Sequence, residues 1–307
     1  MATRTPPSVE EYQGYKQRFN NWGRWGDDDQ LGTLNQITDE ARRQAAGLVR
    51  NGQTVSLANP IATEAVISGP RNPRPADHRM SVGPSASGDY IGVSYHGFVN
   101  THIDALCHIF TGEGGQLYNG RPASLVTEQG ALSNSVDHWR DGIVTRGVLY
   151  DIPQMRGVAH VALDEPVEGW HLQEWAERQH LEPRPGDAVL IRSGAEPFYR
   201  MNPEHEFGGV PSRNPGVGVS VLEFLYDTNA SLLGWDLQEA AGQDHLGRIP
   251  IHEVAIPHMG MPLLDNANFE AVSEYSAEHG RYEFLLMIAP LVVVGGTGSP
   301  VNPIAVF

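Results

Sequence analysis

The chain is nearly devoid of cysteine: Cys107 stands alone among 307 residues. A single thiol excludes an internal disulfide and fits a reducing compartment. Long hydrophobic runs are missing too. No stretch approaches the roughly twenty uninterrupted apolar residues that a membrane helix requires. The opening MATRTPPSVEEYQGYKQRFNNWG has no apolar core of the signal-peptide kind, so a cytoplasmic protein is expected. Positive charge is scarce, with 21 Lys and Arg against 37 Asp and Glu, a net charge of −16 with neutral histidines. Such a chain repels polyanions on average, which excludes nucleic acid and anionic membranes from the expected partners. Two catalytic signatures are also lacking. Without a G-x-S-x-G elbow there is no support for a serine hydrolase. LVVVGGTGSP lacks the G-x-G-x-x-G order, and only seven residues follow Pro300, too few for a dinucleotide-binding crossover.

What is present describes a folded α/β chain. Hydrophobic residues make up 40% and charged residues 19%, which rules against disorder, while 34 Gly and 22 Pro argue for many turns rather than a helical bundle. With no internal repeat and no linker, residues 1–307 read as one domain with an N-terminal extension of about 50 residues. Apolar runs bounded by Gly, Pro or Asp mark buried strands at Gly147–Ile152, Ala188–Ile191, Leu232–Trp235 and Phe284–Val294, and shorter ones at Thr54–Leu57 and Ile91–Tyr95. Helical patterning covers Asp39–Val49, His171–His180, the stretch after Ser220, Ile251–Met259 and Asn268–His279. Ile67–Gly88, rich in Pro, Gly and Ser, reads as a long surface loop.

Thirteen histidines would say little if scattered, but His96, His102 and His108 fall within thirteen residues, with Asp104 among them. In an extended strand His102 and Asp104 share a face, about 6.6 Å apart along the chain. A helical turn after Asp104 would add His108 at the i, i+4 spacing. Imidazole with carboxylate suits Zn²⁺, Mn²⁺ or Fe²⁺ and suits Ca²⁺ poorly. Spacing alone leaves an alternative open: an Asp cap beside two hydrogen-bonded core histidines. The later HEVAIPH is not a metalloprotease helix, because i, i+6 places its histidines about 240° apart and Pro257 intervenes.

Thr101, His102, Asp104 and His108 match, position for position, the His-x-Gly-Thr-His-x-Asp-x-Pro-x-His signature, and the segment resembles the metal-dependent cyclase family, which includes bacterial kynurenine formamidase and isatin hydrolase. Leu106 stands where the signature has Pro, and Phe98 where it has its first metal-binding His. His96, two residues earlier, takes that role if Gly97 lets the chain bulge. Gly186–Gly194, Gly295–Pro300 followed by Ile304–Val306, and Trp25–Asn35 resemble further family segments, so the likeness spans most of the chain.

The resemblance implies a single swivelling β/β/α-type α/β domain, mixed sheets with flanking helices, assembled as a homo-oligomer (dimer or tetramer). It implies a divalent ion, Zn²⁺ or Mn²⁺, held by His102 and Asp104 with His96 or with His252 and Asp265. In the latter pair Asp stands for the family's Glu, and His258 competes with His252. His108 is then the general base, or a ligand if a second ion is bridged by Asp104. Trp22, Trp25 and Trp235 are candidates to line a pocket for a flat small-molecule substrate, with core packing as the alternative. Cys107, between Leu106 and His108, reads as a small buried hydrophobe. Asp236 either orients a ligand histidine or caps a turn. Arg192 either binds a carboxylate or forms an ion pair. The expected chemistry is hydrolysis of a C–N bond in a small cyclic amide, imide or aryl formamide. Its rivals are a metal-dependent cyclase, dehydratase or lactone hydrolase, and a non-catalytic binder with a degenerate site.

Overall fold

The computed structural model describes residues 4–64, 72, 74–112, 115–203, 205, 214–240, 243 and 245–307. Its strands are β1 (Thr54–Ser56), β2 (Asp77–Val82), β3 (Ser87–Gly92), β4 (His102–Asp104), β5 (Val126–Thr127), β6 (Gly130–Ala131), β7 (Ile143–Asp151), β8 (Ala188–Arg192), β9 (Leu232–Trp235), β10 (Leu263–Asp265), β11 (Glu283–Ile288), β12 (Gly298–Pro300) and β13 (Ile304–Val306). The helices are α1 (Val9–Arg18), α2 (Asp39–Ala46), α3 (Ile152–Arg156), α4 (Gly169–Arg178), α5 (Ala195–Met201), α6 (Val221–Asp227), α7 (Pro250–Val254) and α8 (Glu270–His279). Among the described residues, no helix is long and apolar enough to cross a membrane.

Among the described residues, nine strands form one mixed sheet in the order β1-β13-β11-β7-β8-β9-β10-β4-β12. Its centre, β7 to β10, is parallel. Parallel strands are buried on both faces and read as continuous apolar runs, which is why Ala188–Ile191 and Leu232–Trp235 stand out in the sequence and lie in the core. The flanking pairs are antiparallel, including both neighbours of β4. The helices begin where the sequence supplies caps: Ser8 and Glu11 form a reciprocal box at α1, and Thr38 caps α2.

Four expectations change. The loop expected over 67–88 contains a hairpin, β2 paired with β3, while residues 67–71 and 73 lie outside the described residues. β2 is exposed throughout and β3 nearly so. With neither face buried, no apolar alternation could mark these strands. The strand expected at Ile91–Tyr95 therefore ends at Gly92. The run expected at Phe284–Val294 stops at Ile288, just before Pro290, which has no N–H to donate to a ladder. Leu291 to Val294 are exposed, Val294 by 78%. Finally, the helix expected over 251–259 splits into α7 and a wider π-type turn at Ala255–Met259, which contains Pro257.

Candidate metal centre

The short strand β4 lies between β10 and β12, with Asp265 and Pro300 opposite His102, and Leu263 and Gly298 opposite Asp104. Strand periodicity sends His102 and Asp104 to one face and Ile103 to the other. Ile103 is wholly buried in the core, a burial worth roughly 1.5–3 kcal/mol. A one-residue slip would turn Ile103 into the polar cluster and carry His102 and Asp104 into the apolar core, so the hydrophobic pattern fixes the register of the site.

Side chains from four other segments converge on this face. His102 Nε2 lies 3.4 Å and His96 Nδ1 2.9 Å from Asp104 Oδ1. His252 Nε2, from α7, and His108 Nε2 lie 3.7 and 3.8 Å from Asp104 Oδ2. Asp265 Oδ2 is 3.3 Å from His252 Nε2 and 3.9 Å from His102 Nε2. Two groups bring their ligand atoms within 4.8 Å of one another: His96, His102 and Asp104, and Asp104, His252 and Asp265. Asp104 is common to both.

The polar atoms at the middle of this cluster are the decisive ones. Among the described residues, both carboxylate oxygens of Asp104 and Nδ1 of His96 are buried without a well-directed hydrogen-bond partner, although each lies close to the other groups. Their directions do not suit hydrogen bonds to one another. Burying such groups unsatisfied costs several kcal/mol unless something charged compensates. A divalent cation between them fits this donor set of imidazoles and carboxylates.

The protons tell the same story. Burial opposes the charge of Asp104, but His108, His102 and His96 outweigh it and hold its carboxyl well below the usual range. Burial likewise opposes a charged His252, yet Glu239 and Asp265 raise its pKa well above the ordinary value. Against burial, Asp104 and Asp265 also raise that of His102. The pocket favours positive charge, and an ion that binds here displaces protons.

Supports fix each donor. A carbonyl can only accept, so the 2.8 Å contact with the Asn100 carbonyl places the His102 proton on Nδ1 and leaves Nε2 facing the centre. Asp265 accepts from Trp235 Nε1 at 2.6 Å and from Gln238 Nε2 at 2.8 Å. Its shorter reach relative to Glu is offset because β10 sets it directly across from His102. Gly97, at φ +119, gives the bend that brings His96 inward. His96 Nε2 then lies 2.9 Å from Thr297 Oγ1, and its ring stacks on His108 at 3.8 Å. Gly298 leaves the space: a Cβ there would lie 2.4 Å from the Ile103 carbonyl and 3.1 Å from His96.

Residues 53–240 match the family model described as "Putative cyclase". The chain belongs to the cyclase family. A crystal structure described as a novel cyclase is 30% identical, covers 94% of this chain and 100% of its own, and has a TM-score of 0.81. Isatin hydrolase A from Ralstonia solanacearum is 22% identical over 86% of this chain and 95% of its own, at TM-score 0.55. An isatin hydrolase bound to the product analogue thioisatinate is 18% identical over 85% and 93%, at 0.57. At those identities the isatin hydrolases share the fold. No curated protein sequence matches at a significant level.

The other sequence candidates of this cyclase-family chain take distinct places. His108 reaches Asp104 through a single turn, its N–H bonded to the Ala105 carbonyl, not through the helix start expected. Phe98 lines a cavity of about 360 Å³ with Ala62, Val99, Ala267 and Phe269, while His96 joins the cluster. His258 stacks on Trp22 at 5.9 Å, whereas His252 is in the cluster. Trp235 is fully buried and supports Asp265. Trp25 sits in the turn after α1 with Arg24 stacked over it at 4.8 Å. Asp236 accepts from the N–H groups of Ser193, Gly194 and Ala195, so it caps a turn. Arg192 pairs with Asp151 and Glu270. Cys107 is buried, and its thiol is pushed up to about 12 by burial. Glu239, 2.6 Å from His252 Nδ1, was not anticipated by sequence reasoning. Its only sequence signal is position, four residues beyond Trp235 at the end of β9.

Proposed function

We propose that this protein is a metal-dependent hydrolase that opens the C–N bond of a small cyclic amide or imide, or of an aryl formamide. The observation that carries the reading is the buried Asp104 carboxylate, ringed by imidazoles at 2.9–3.8 Å yet without a well-directed hydrogen bond among the described residues. We assign the holding of a Zn²⁺ or Mn²⁺ ion to His102 and Asp104, with His96 on one side and His252 and Asp265 on the other. When bound, such an ion supplies Lewis acidity, lowering the pKa of water toward about 7 and polarising a carbonyl oxygen.

The remaining work falls to side chains. His108 is partly open to solvent while its Nε2 faces the centre. Burial first, then the neighbouring His96, His252 and His102, push its pKa down to about 4 against the pull of Asp104. A neutral imidazole accepts a proton at Nε2 from attacking water and returns it to the leaving nitrogen, a role worth about 10²–10⁴-fold. A degenerate binder is the alternative that Phe98 and Asp265 suggest, since each stands where the family signature has another residue. His96 occupying the cluster and Asp265 facing His102 across the strand pair weigh against it.

The test is metal analysis of protein purified without chelator, followed by pH-stat assay on isatin-like lactams, cyclic imides and aryl formamides. Retained Zn²⁺ or Mn²⁺ with proton release on one class supports the proposal. An empty centre and no turnover with either ion added would sink it.

A further inference from the structure

His102 and His252 enter the cluster on different supports. Behind His102 lies a neutral carbonyl, that of Asn100. Behind His252 lies a carboxylate: one oxygen of Glu239 is 2.6 Å from Nδ1 and also accepts from the His252 backbone N–H at 3.1 Å. The Glu239 side chain is buried, as is His252 itself. Its backbone is held by a bridge to Val217, where Val217 N–H donates to the Gln238 carbonyl and Ala240 N–H to the Val217 carbonyl. The carboxylate is therefore fixed in place before any ligand arrives. Gln238, beside it, donates to Asp265. One short segment thus supports both His252 and Asp265.

We infer that Glu239 is a positioning residue for the Asp104–His252–Asp265 half of the centre, holding the His252 ring with Nε2 directed inward and strengthening that nitrogen as a donor to a divalent ion. This rests on the metal reading above. The physical reason is that a carboxylate accepting from the far nitrogen fixes both the ring rotation and the tautomer. It also feeds electron density to the near nitrogen, which a carbonyl does less well. Loss of such an outer partner typically weakens metal binding about 10–100-fold.

Glu239→Gln separates charge from shape, since the amide oxygen still accepts from Nδ1 while the negative charge is gone. Affinities for Mn²⁺ and Zn²⁺ would be measured by competition with a chelator of known strength. The Co²⁺-loaded protein would be followed by its visible absorption, and the metal-free protein by ¹⁵N NMR of the His252 ring. We expect affinity to drop about 10–100-fold, with an altered cobalt spectrum and thermal unfolding of the metal-free form close to wild type. Glu239→Ala should lose more affinity and also release the ring, so that its nitrogen signals no longer show a bonded Nδ1 proton. Wild-type affinity and spectrum in Glu239→Gln would overturn the inference while leaving the metal reading intact. A wild-type protein that binds no ion would instead overturn the metal reading. In that case a His252 Nδ1 signal unchanged by Glu239→Ala would deny the positioning role separately.

Discussion

His102 and His252 both direct Nε2 toward Asp104, at 3.4 and 3.7 Å, but they arrive by different routes. The first belongs to a continuous stretch, His96 to His108, in which a glycine bend, a three-residue strand and one turn bring four donors together. The second comes from α7, meets Asp265 from β10, and rests on Glu239, whose nearest strand is β9. The donors of the first half are close along the chain, although the strand that carries two of them is itself held between β10 and β12. The second half gathers donors distant in sequence and depends in addition on the parallel packing of β9 and β10. This difference gives each half its own way of failing.

The largest effect is expected where the halves meet. Asp104→Ala removes the one carboxylate common to both groups, and His102→Ala removes the donor adjoining both carboxylates. Each should abolish metal content and turnover, read by elemental analysis and by the pH-stat assay. Full activity in either variant would break the comparison, because it would leave one half able to work without the shared centre.

Next comes His108→Ala. Its role as a proton carrier predicts a loss of about 10²–10⁴-fold in turnover with the ion retained. If His108 is instead a ligand to a second ion, the stoichiometry should fall from two to one. Titrating the variant with Mn²⁺ and counting bound ions separates these outcomes, and it tells whether the local half holds an ion of its own.

A smaller effect is expected from Gly298→Ala. The added methyl would sit 2.4 Å from the Ile103 carbonyl, a backbone atom that cannot swing away. Overpacking of this kind costs about 1–3 kcal/mol, measured as a lowered midpoint in urea unfolding. Because the same methyl approaches His96 at 3.1 Å, metal affinity should weaken in the local half, and Asp265 and His252 should be untouched. Unchanged stability would show that β12 can shift away from β4 at little cost.

How much of this was legible follows from the same contrast. The sequence stretch from His96 to His108 carries its geometry in its spacing, and the strand alternation of His102 and Asp104 is realised in β4. The buried parallel strands were legible because burial on both faces leaves an unbroken apolar run. Glu239 was not, since its partner lies thirteen residues away on another element and nothing in WDLQEA marks a carboxylate as a support. The hairpin β2–β3 was missed because an exposed strand shows no pattern of burial. Asp236 and Arg192 each had two readings, and only the positions of the Ser193–Ala195 amides and of Asp151 with Glu270 chose between them.

The smallest expected effect is the most pointed about reading motifs. Phe98 occupies the position where the family signature has its first histidine, so a motif-based repair would be Phe98→His. The structure gives that side chain a different direction, into the cavity lined by Ala62, Val99, Ala267 and Phe269. The bend at Gly97 has meanwhile delivered His96 to within 2.9 Å of Asp104. Restoring the consensus should therefore leave metal stoichiometry and affinity within about twofold of wild type, while His96→Ala lowers affinity by the 10-fold or more expected for losing a ligand or its close support. A gain of affinity in Phe98→His would mean that the 97–99 segment can rotate to exchange one residue for the other. The glycine would then be a pivot between two ligand sets and not a fixed bend serving His96 alone.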